Sequence, residues 1–228
     1  VLYVSKFNWI THTHNEWMAM QKRRNITVDQ VESLRRQATF ASAIAPTAED
    51  NRPVKYKNRR SDSVQIVGTT EDYLATSGAG VALGRFLSSA EVEGGRPVCV
   101  LGSEVATNLF RSESPIGNRV TVGPRTFEVI GVLEKQGSLL GGFSLDNRVV
   151  IPLKQWIAWL WSDPTLDIAV KVKDVTQLDE AREELRHVMR RIRRVKPDAA
   201  DDFSINQMDQ FVEMFHRVTG VIAGIGLF

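Results

Sequence analysis

The arrangement of apolar and polar positions divides this chain into elements. From Leu178 onward Ala181, Leu185, Val188, Met189, Ile192 and Val195 keep helical spacing, which predicts a long amphipathic helix with a charged outer face. Val31, Leu34 and Ala38 repeat at i, i+3, i+7 after Thr27-Val-Asp-Gln30, which matches a capping box, and predict a helix from Val28 to Gln37. Leu153, Trp156, Ile157 and Leu160 predict a third helix, with Pro152 at its first turn and Asp163-Pro164 closing it. Ile168, Val170 and Val172 alternate within Asp167 to Val172, a half-buried strand. Phe40 to Ala45 reads as a strand, Asp50-Asn-Arg-Pro53 as a turn, and Val54 to Asn58 and Ser63 to Val67 as the alternating strands of a meander ending at Gly68.

The densest pattern runs from Pro97 to Leu153. Val98-Cys-Val-Leu101, closed by Gly102, fits a short buried strand. Ser103 is placed to cap a helix whose Val105, Ala106, Leu109 and Phe110 form one apolar face. After Pro115-Ile-Gly117, Arg119 to Val122 and Thr126 to Leu133 flank Gly123-Pro124, a breaker pair suited to a reversal between antiparallel strands. Gln136 to Ser144 carries Leu139, Leu140 and Phe143 on a Gly- and Ser-rich framework and is expected to be a mobile loop; Asn147 to Pro152 is a further strand.

The two ends frame this block. Val1 to Val4 and Phe7 to Ile10 are apolar clusters read as a strand and its continuation, followed by polar residues 11–16. Phe203 to Ile205 is a short strand, and Met208, Phe211, Val212 and Phe215 place a last amphipathic helix. Val218 to Phe228 is uncharged and apolar but shorter than the roughly 20 residues that cross a bilayer. It is expected to be the truncated start of a transmembrane helix, and Val1-Leu-Tyr-Val, without initiator Met or basic leader, to belong to a longer chain. Residues 1–75 and 166–217 thus read as two segments of one domain, 76–165 as a smaller insertion entered through Gly78-Ala-Gly80, and 218–228 as the severed membrane segment.

Composition narrows the chemistry. The 228 residues are 43% hydrophobic and 25% charged, ordinary for a folded domain, and a net charge of +2 calls for no polyanionic partner. Cys99, the only cysteine, excludes an internal disulfide and reads as a small buried hydrophobe. Gly78-Ala-Gly-Val-Ala-Leu-Gly84 departs from a dinucleotide loop in the place of its third glycine, and the chain has neither a Walker-type phosphate loop nor a Gly-x-Ser-x-Gly nucleophile elbow. His12, His14 and Glu16 alternate and would share one face of a strand, but three residues fall short of a structural zinc set. His187 and His216 stand alone. No catalytic, cofactor-binding or metal-binding residue is assigned. Arg182, Arg186, Arg190 and Arg193, widened by Arg191, Arg194 and Lys196, form a basic helix face that would suit phosphates. The acids that precede them, with Glu183 placed to pair with Arg186 or His187 and Glu184 with His187, favour a solvated helix face instead. Asn25-Ile-Thr27 matches a glycosylation sequon, but Thr27 reads better as a helix cap.

The succession Gly84-Arg-Phe-Leu87, Val98-Cys-Val-Leu-Gly102, Ala106 to Phe110, Pro115-Ile-Gly117, Phe127-Glu-Val-Ile-Gly-Val132 and Val150-Ile-Pro152 resembles the periplasmic core domain of MacB-type ABC-transporter permeases. The resemblance implies an α+β fold of two subdomains: a porter-like split β-α-β sheet domain and an inserted small α/β-rich extracytoplasmic, Sabre-like subdomain. It implies a non-enzymatic domain on the periplasmic face of the bacterial inner membrane, transmitting ATP-driven conformational change for export or release of a substrate. ATP hydrolysis would reside in a separate nucleotide-binding domain or subunit. The expected partners are the protein's own transmembrane helices, a cytoplasmic ATPase subunit, a second copy in a dimer and a periplasmic adaptor, with no cofactor and no nucleic acid. Residues 1–23 depart from the family pattern. Two alternatives come from other classes: a basic-helix nucleic-acid-binding module, and a domain that holds a hydrophobic ligand directly.

Overall fold

A computed structural model describes residues 1–11, 13–138, 144–159, 164–210 and 212–214. β1 (Leu2–Ser5) opens the chain. α1 (His14–Gln21) follows, its start fixed by the Thr13 hydroxyl, which accepts from the Glu16 N–H. Phe7 to Ile10, read as the strand's continuation, form no strand, and residues 14–16 are helical, which ends the alternation of His14 and Glu16 on one strand face; His12 lies outside the described residues. α2 (Val28–Gln37) occupies the span its periodicity predicts, yet Thr27 makes no side-chain cap bond. The Gln30 amide oxygen accepts from Arg193. A buried guanidinium needs that acceptor more than an exposed helix start, which water can serve, needs a cap.

β2 (Ala41–Tyr56) runs through the stretch read as a turn, and β3 (Arg59–Thr69) returns antiparallel to it. The register breaks between Arg52 and Val54, so Pro53, which has no N–H to give a ladder, sits at an irregularity where none is needed. α3 (Tyr73–Ser77), β4 (Val81–Gly84) and α4 (Ser89–Gly94) follow. Next come β5 (Val98–Leu101), α5 (Ser103–Phe110), and the hairpin of β6 (Arg119–Val122) and β7 (Arg125–Leu133). Gly102 takes the cap position expected of Ser103, which is the first helical residue. β8 (Arg148–Pro152) leads into α6 (Leu153–Trp159); Leu139, Leu140, Phe143, Leu160 and Asp163 lie outside the described residues. β9 (Asp167–Val172), one 3-10 turn at Val175–Gln177, α7 (Leu178–Ile192) and β10 (Ser204–Gln207) follow, and residues 208–210 and 212–214, within the last predicted helix, are helical.

The chain forms two compact units, residues 1–42 with 166–228, and residues 43–165. The expected first boundary lay at 75/76; residues 43–75 instead make their contacts in the central unit, because β2 and β3 are structural members of its sheet.

In the central unit strand neighbours run β2-β3-β8-β5-β7, and β6 pairs with both β7 and β2, so the succession closes on itself. β4 adds to β7 beyond β6. Closure buries Val54, Val120, Val122, Phe127 and Val129 completely. A second cluster gathers Ala45, Val67, Tyr73, Leu87, Val98, Val100, Leu133 and Val150, with Phe86 packed against it. Tyr73 stacks on Phe86 with ring centroids 6.1 Å apart and meets the buried Arg148 through its hydroxyl.

The Gly-Arg-Phe-Leu stretch acquires a physical reading here. Gly84 has φ +68° and packs on the Ile130 carbonyl; a Cβ at Gly131 would stand 2.1 Å from the Arg85 carbonyl oxygen. The two glycines let β4 and β7 approach where side chains would hold them apart. Arg85 then grips Glu91 with both terminal nitrogens, at 2.8 and 2.7 Å, while Ser88 and Glu91 form a reciprocal capping box at the start of α4. Ser88-Ser-Ala-Glu91 is a legible capping signal that the periodicity reading passed over. The Arg85 guanidinium, aided by the Ser88 N–H and hydroxyl, holds the Glu91 carboxyl down to about 2 against the opposing effect of burial.

Gly131→Ala is expected to destabilise the chain by about 3 kcal/mol in denaturant titration, the cost of forcing a methyl group against backbone. Gly94→Ala, where an added Cβ meets nothing closer than the Arg96 side chain at 3.8 Å, should leave stability unchanged or raised. Because Glu91 titrates lower folded than unfolded, its contribution is complete above pH 4.5 and fades as pH falls toward 2. The Tm deficit of Glu91→Gln should therefore be full at pH 7 and nearly gone at pH 2.

Candidate functional site

Unit 1 is built on a three-stranded antiparallel sheet in which β1 lies between β9 and β10. Leu2 faces Gln207 and Ser5 faces Ser204, so the chain enters β1 and leaves β10 side by side. Leu2, Val4, Ile168 and Val170 are buried, as are Val31 and Leu34 of α2 and Ala181, Leu185, Val188 and Met189 of α7, and the two helices pack on each other.

β10 is the last strand of this sheet and is held from α7 by arginines. Arg182, Arg186, Arg190 and Arg193 follow at intervals of four, four and three, which puts them on one stripe of the helix. Arg182 donates to the Ile205 carbonyl at 2.9 Å and the Gln207 side-chain oxygen at 2.7 Å. Arg186 donates to Asp201 at 2.8 Å; Arg190 donates to Asp201 and to the carbonyls of Lys196 and Ala199.

Arg193 is the keystone. Its side chain is 0% exposed, yet each of its five N–H groups has an acceptor. Nε and one terminal nitrogen hold the two Asp202 oxygens at 2.7 and 2.9 Å, a bidentate pair. The remaining donors go to the Arg24 carbonyl at 2.9 Å, the Asn25 carbonyl at 3.2 Å and the Gln30 amide oxygen at 2.8 Å. Arg24 adds a second cation on Asp202 at 2.8 Å, and Arg23 donates to the Ser204 hydroxyl at 2.9 Å and the Lys6 carbonyl at 2.8 Å. Burial by itself would raise both aspartates, but the hydrogen bonds from Arg193 and Arg24 to Asp202, and from Arg190 and Arg186 to Asp201, outweigh it and hold both below the ordinary 3.8.

A cleft of about 360 Å³ lies beside β10, lined by Asn8, Trp9, Ile10, Glu16, Ile205, Asn206, Gln207 and Gln210. Its floor is fixed by the buried Asn206 side chain, whose oxygen accepts from the Trp9 N–H at 3.1 Å and whose nitrogen donates to the Ser5 hydroxyl and the Phe7 carbonyl. Trp9 rests on Tyr3 with ring centroids 4.9 Å apart. Among the described residues the walls are amide groups and apolar side chains with one carboxylate, and no nucleophile is paired with a base.

The sequence-level candidates separate on these observations. Glu16 reaches the cleft wall, while His14 stacks on Trp17. Gly78 ends α3 with φ +69°, and at Gly80 a Cβ would meet the Glu134 carboxylate, so one glycine of the dinucleotide-like stretch caps a helix and another makes room for a side chain. Cys99 is fully buried, as expected, and burial pushes its thiol up. Glu183 lies 3.9 Å from Arg186 as one of its expected pairings has it, but Glu184 accepts from the Thr39 and Phe40 N–H groups. The basic stripe is not a free solvated face: its arginines are committed to residues 196–207, which leaves little reason for a nucleic-acid reading. Arg23, Arg24, Asp201, Asp202 and Asn206 were missed; the one available signal was Asp201-Asp202 shortly after a helix rich in arginine. His216 and the apolar residues 218–228 lie outside the described residues, and among those described no helix is long and apolar enough to cross a membrane.

The fold is mixed α+β, a split antiparallel unit interrupted in sequence by a closed mixed-sheet unit. Residues 2–188 match the MacB-like periplasmic core domain family, and the chain belongs to that family. A macrolide export ATP-binding/permease protein MacB of Bdellovibrio bacteriovorus is 26% identical over 221 residues, covering 90% of this chain and 34% of that protein. A pyoverdine export ATP-binding/permease protein PvdT of Pseudomonas savastanoi pv. phaseolicola is 28% identical over 176 residues, covering 76% of this chain and 26% of that protein. The chain thus spans about a third or less of the length of these relatives. Among solved structures, the periplasmic region of MacB from Actinobacillus actinomycetemcomitans matches with a TM-score of 0.76 at 18% identity, covering 94% of this chain and 92% of that one. The extracellular domain of the noncanonic ABC-type transporter YknZ from Gram-positive bacteria matches with a TM-score of 0.65 at 18% identity, covering 80% and 90%. These likenesses bear out the fold class.

Arg193→Met removes one partner of a buried ion pair and is expected to cost about 3 to 5 kcal/mol in denaturant titration. Asp202→Asn should show its full Tm deficit above pH 5. Since the folded carboxylate titrates below 3.8, the deficit should shrink as pH falls beneath that value.

Proposed function

We propose that this chain is the extracytoplasmic domain of an ABC-transporter permease on the periplasmic face of the bacterial inner membrane. In this reading it is not an enzyme: ATP binding and hydrolysis by a cytoplasmic nucleotide-binding domain or subunit move the membrane helices, and the domain transmits that movement for export or release of a substrate. The observation that carries the reading, together with family membership, is the register Leu2 opposite Gln207. A domain carried between two membrane helices must return its chain beside the point of entry, and antiparallel β1 and β10 do so. The relatives' printed names, macrolide export and pyoverdine export, support an export role.

We read unit 1 as the porter-like subdomain and the central unit as the inserted Sabre-like one, which assigns residues 43–75 to the insertion. The proposed partners are the flanking transmembrane helices, the ATPase, a second copy in a dimer and a periplasmic adaptor. Val218 to Phe228, uncharged and apolar, fits the start of the returning membrane helix.

Val175 is 80% exposed and Cys99 is buried, so Val175→Cys supplies the one reactive thiol of this domain. In the full-length protein in intact cells, a maleimide that reaches the periplasm but does not cross the inner membrane should label position 175. Labelling that requires lysis of the inner membrane would place the domain in the cytoplasm and end the proposal.

A further inference from the structure

A force that separates the two chain exits of unit 1 acts at Leu2 and Gln207, the same end of the β1 and β10 pair. Antiparallel hydrogen bonds lie perpendicular to the strands, so such a force loads them one after another, the arrangement in which a ladder yields most readily. β10 has only four paired residues and lies at the end of its sheet. The ladder alone would peel.

We propose that the arginine stripe of α7 is a mechanical latch that keeps β10 from peeling and delivers force applied beyond Gln207 to the α7 and α2 helix pair. Arg182 grips the exit itself, through the Ile205 carbonyl and the Gln207 side chain. Arg186 and Arg190 hold Asp201 one turn further along α7, and Arg193 holds Asp202 while also bonding Gln30 of α2. To detach β10, charge-assisted bonds on three successive residue groups must break together, because all are fixed to one rigid helix. Arg24 and Arg23 reinforce the same segment from the chain's entry side, at Asp202 and Ser204. The source of the force rests on the transporter reading above; the latch itself is a property of this chain.

The test is single-molecule pulling of the 228-residue chain by tags at its two ends. The parent should release β10 only together with the rest of unit 1. Asp201→Asn and Arg182→Gln, neither of which leaves a fully buried charge behind, should each release β10 earlier and at lower force. The early step should lengthen the chain by roughly 48 Å, the span of residues 194–207 at about 3.4 Å each. With the second tag moved to position 175, so that β10 is outside the pulled segment, release forces of parent and variants should agree. A parent that already shows the early step, or variants that weaken both pulling axes equally, would overturn the latch and leave an ordinary stabilising pair. Failure of the transporter reading is seen separately, as a position 175 that is unlabelled in intact cells while the pulling result stands.

Discussion

The buried Arg193 is the constraint on which unit 1 depends. A guanidinium with no exposure must have every donor satisfied, and its five acceptors come from Asp202, Gln30 and the backbone at Arg24 and Asn25. One side chain therefore fixes the end of α7, the start of α2, the segment entering α2 and the approach to β10. An apolar residue could fill the same volume with no desolvation cost, but it would leave four chain segments free to slide. The pair specifies an arrangement more than it adds stability, and that specificity suits a strand beside which the chain both enters and leaves.

The central unit relies on close backbone approach instead. Its strand neighbours close through β6, and β4 joins β7 where Gly84 and Gly131 face carbonyl oxygens at distances no side chain tolerates. The stretches that carry the family resemblance are in this sense geometric requirements. Arg85 and Glu91 secure the turn that follows, and Phe86 and Leu87 place apolar groups in the cluster around Tyr73. None of these residues needs a substrate to explain it.

Both units thus spend their unusual residues on holding backbone in place. The buried arginine and its partners converge on strand ends and helix starts, and in the cleft beside β10 the Asn206 amide is already bonded to Trp9, Ser5 and Phe7.

Elements whose evidence is a local period were legible in the sequence: α7 and α2 from spacing of three and four, β9 from alternation, the β6 and β7 hairpin from Gly123-Pro124 between two apolar runs. Burial on one face is written into every turn of such an element. Where the outcome depended on a distant partner, the sequence was silent or misleading. β2 continues through Pro53 because β3 and β6 supply the ladder around it, and β4, weighed in the sequence only as part of a dinucleotide-like glycine stretch, is a strand because β7 offers an edge. Residues 14–16 belong to α1 although they alternate like a strand. The arginine stripe was visible as four residues on one helix face, but whether it met water, phosphate or protein was not. Arg24 and Arg193 find Asp202 from 178 and 9 positions away, and Gln30 is drawn from its cap by a guanidinium 163 positions distant. Periodicity records which face of an element is buried; only the folded chain decides which charges are buried with it and must therefore be paired.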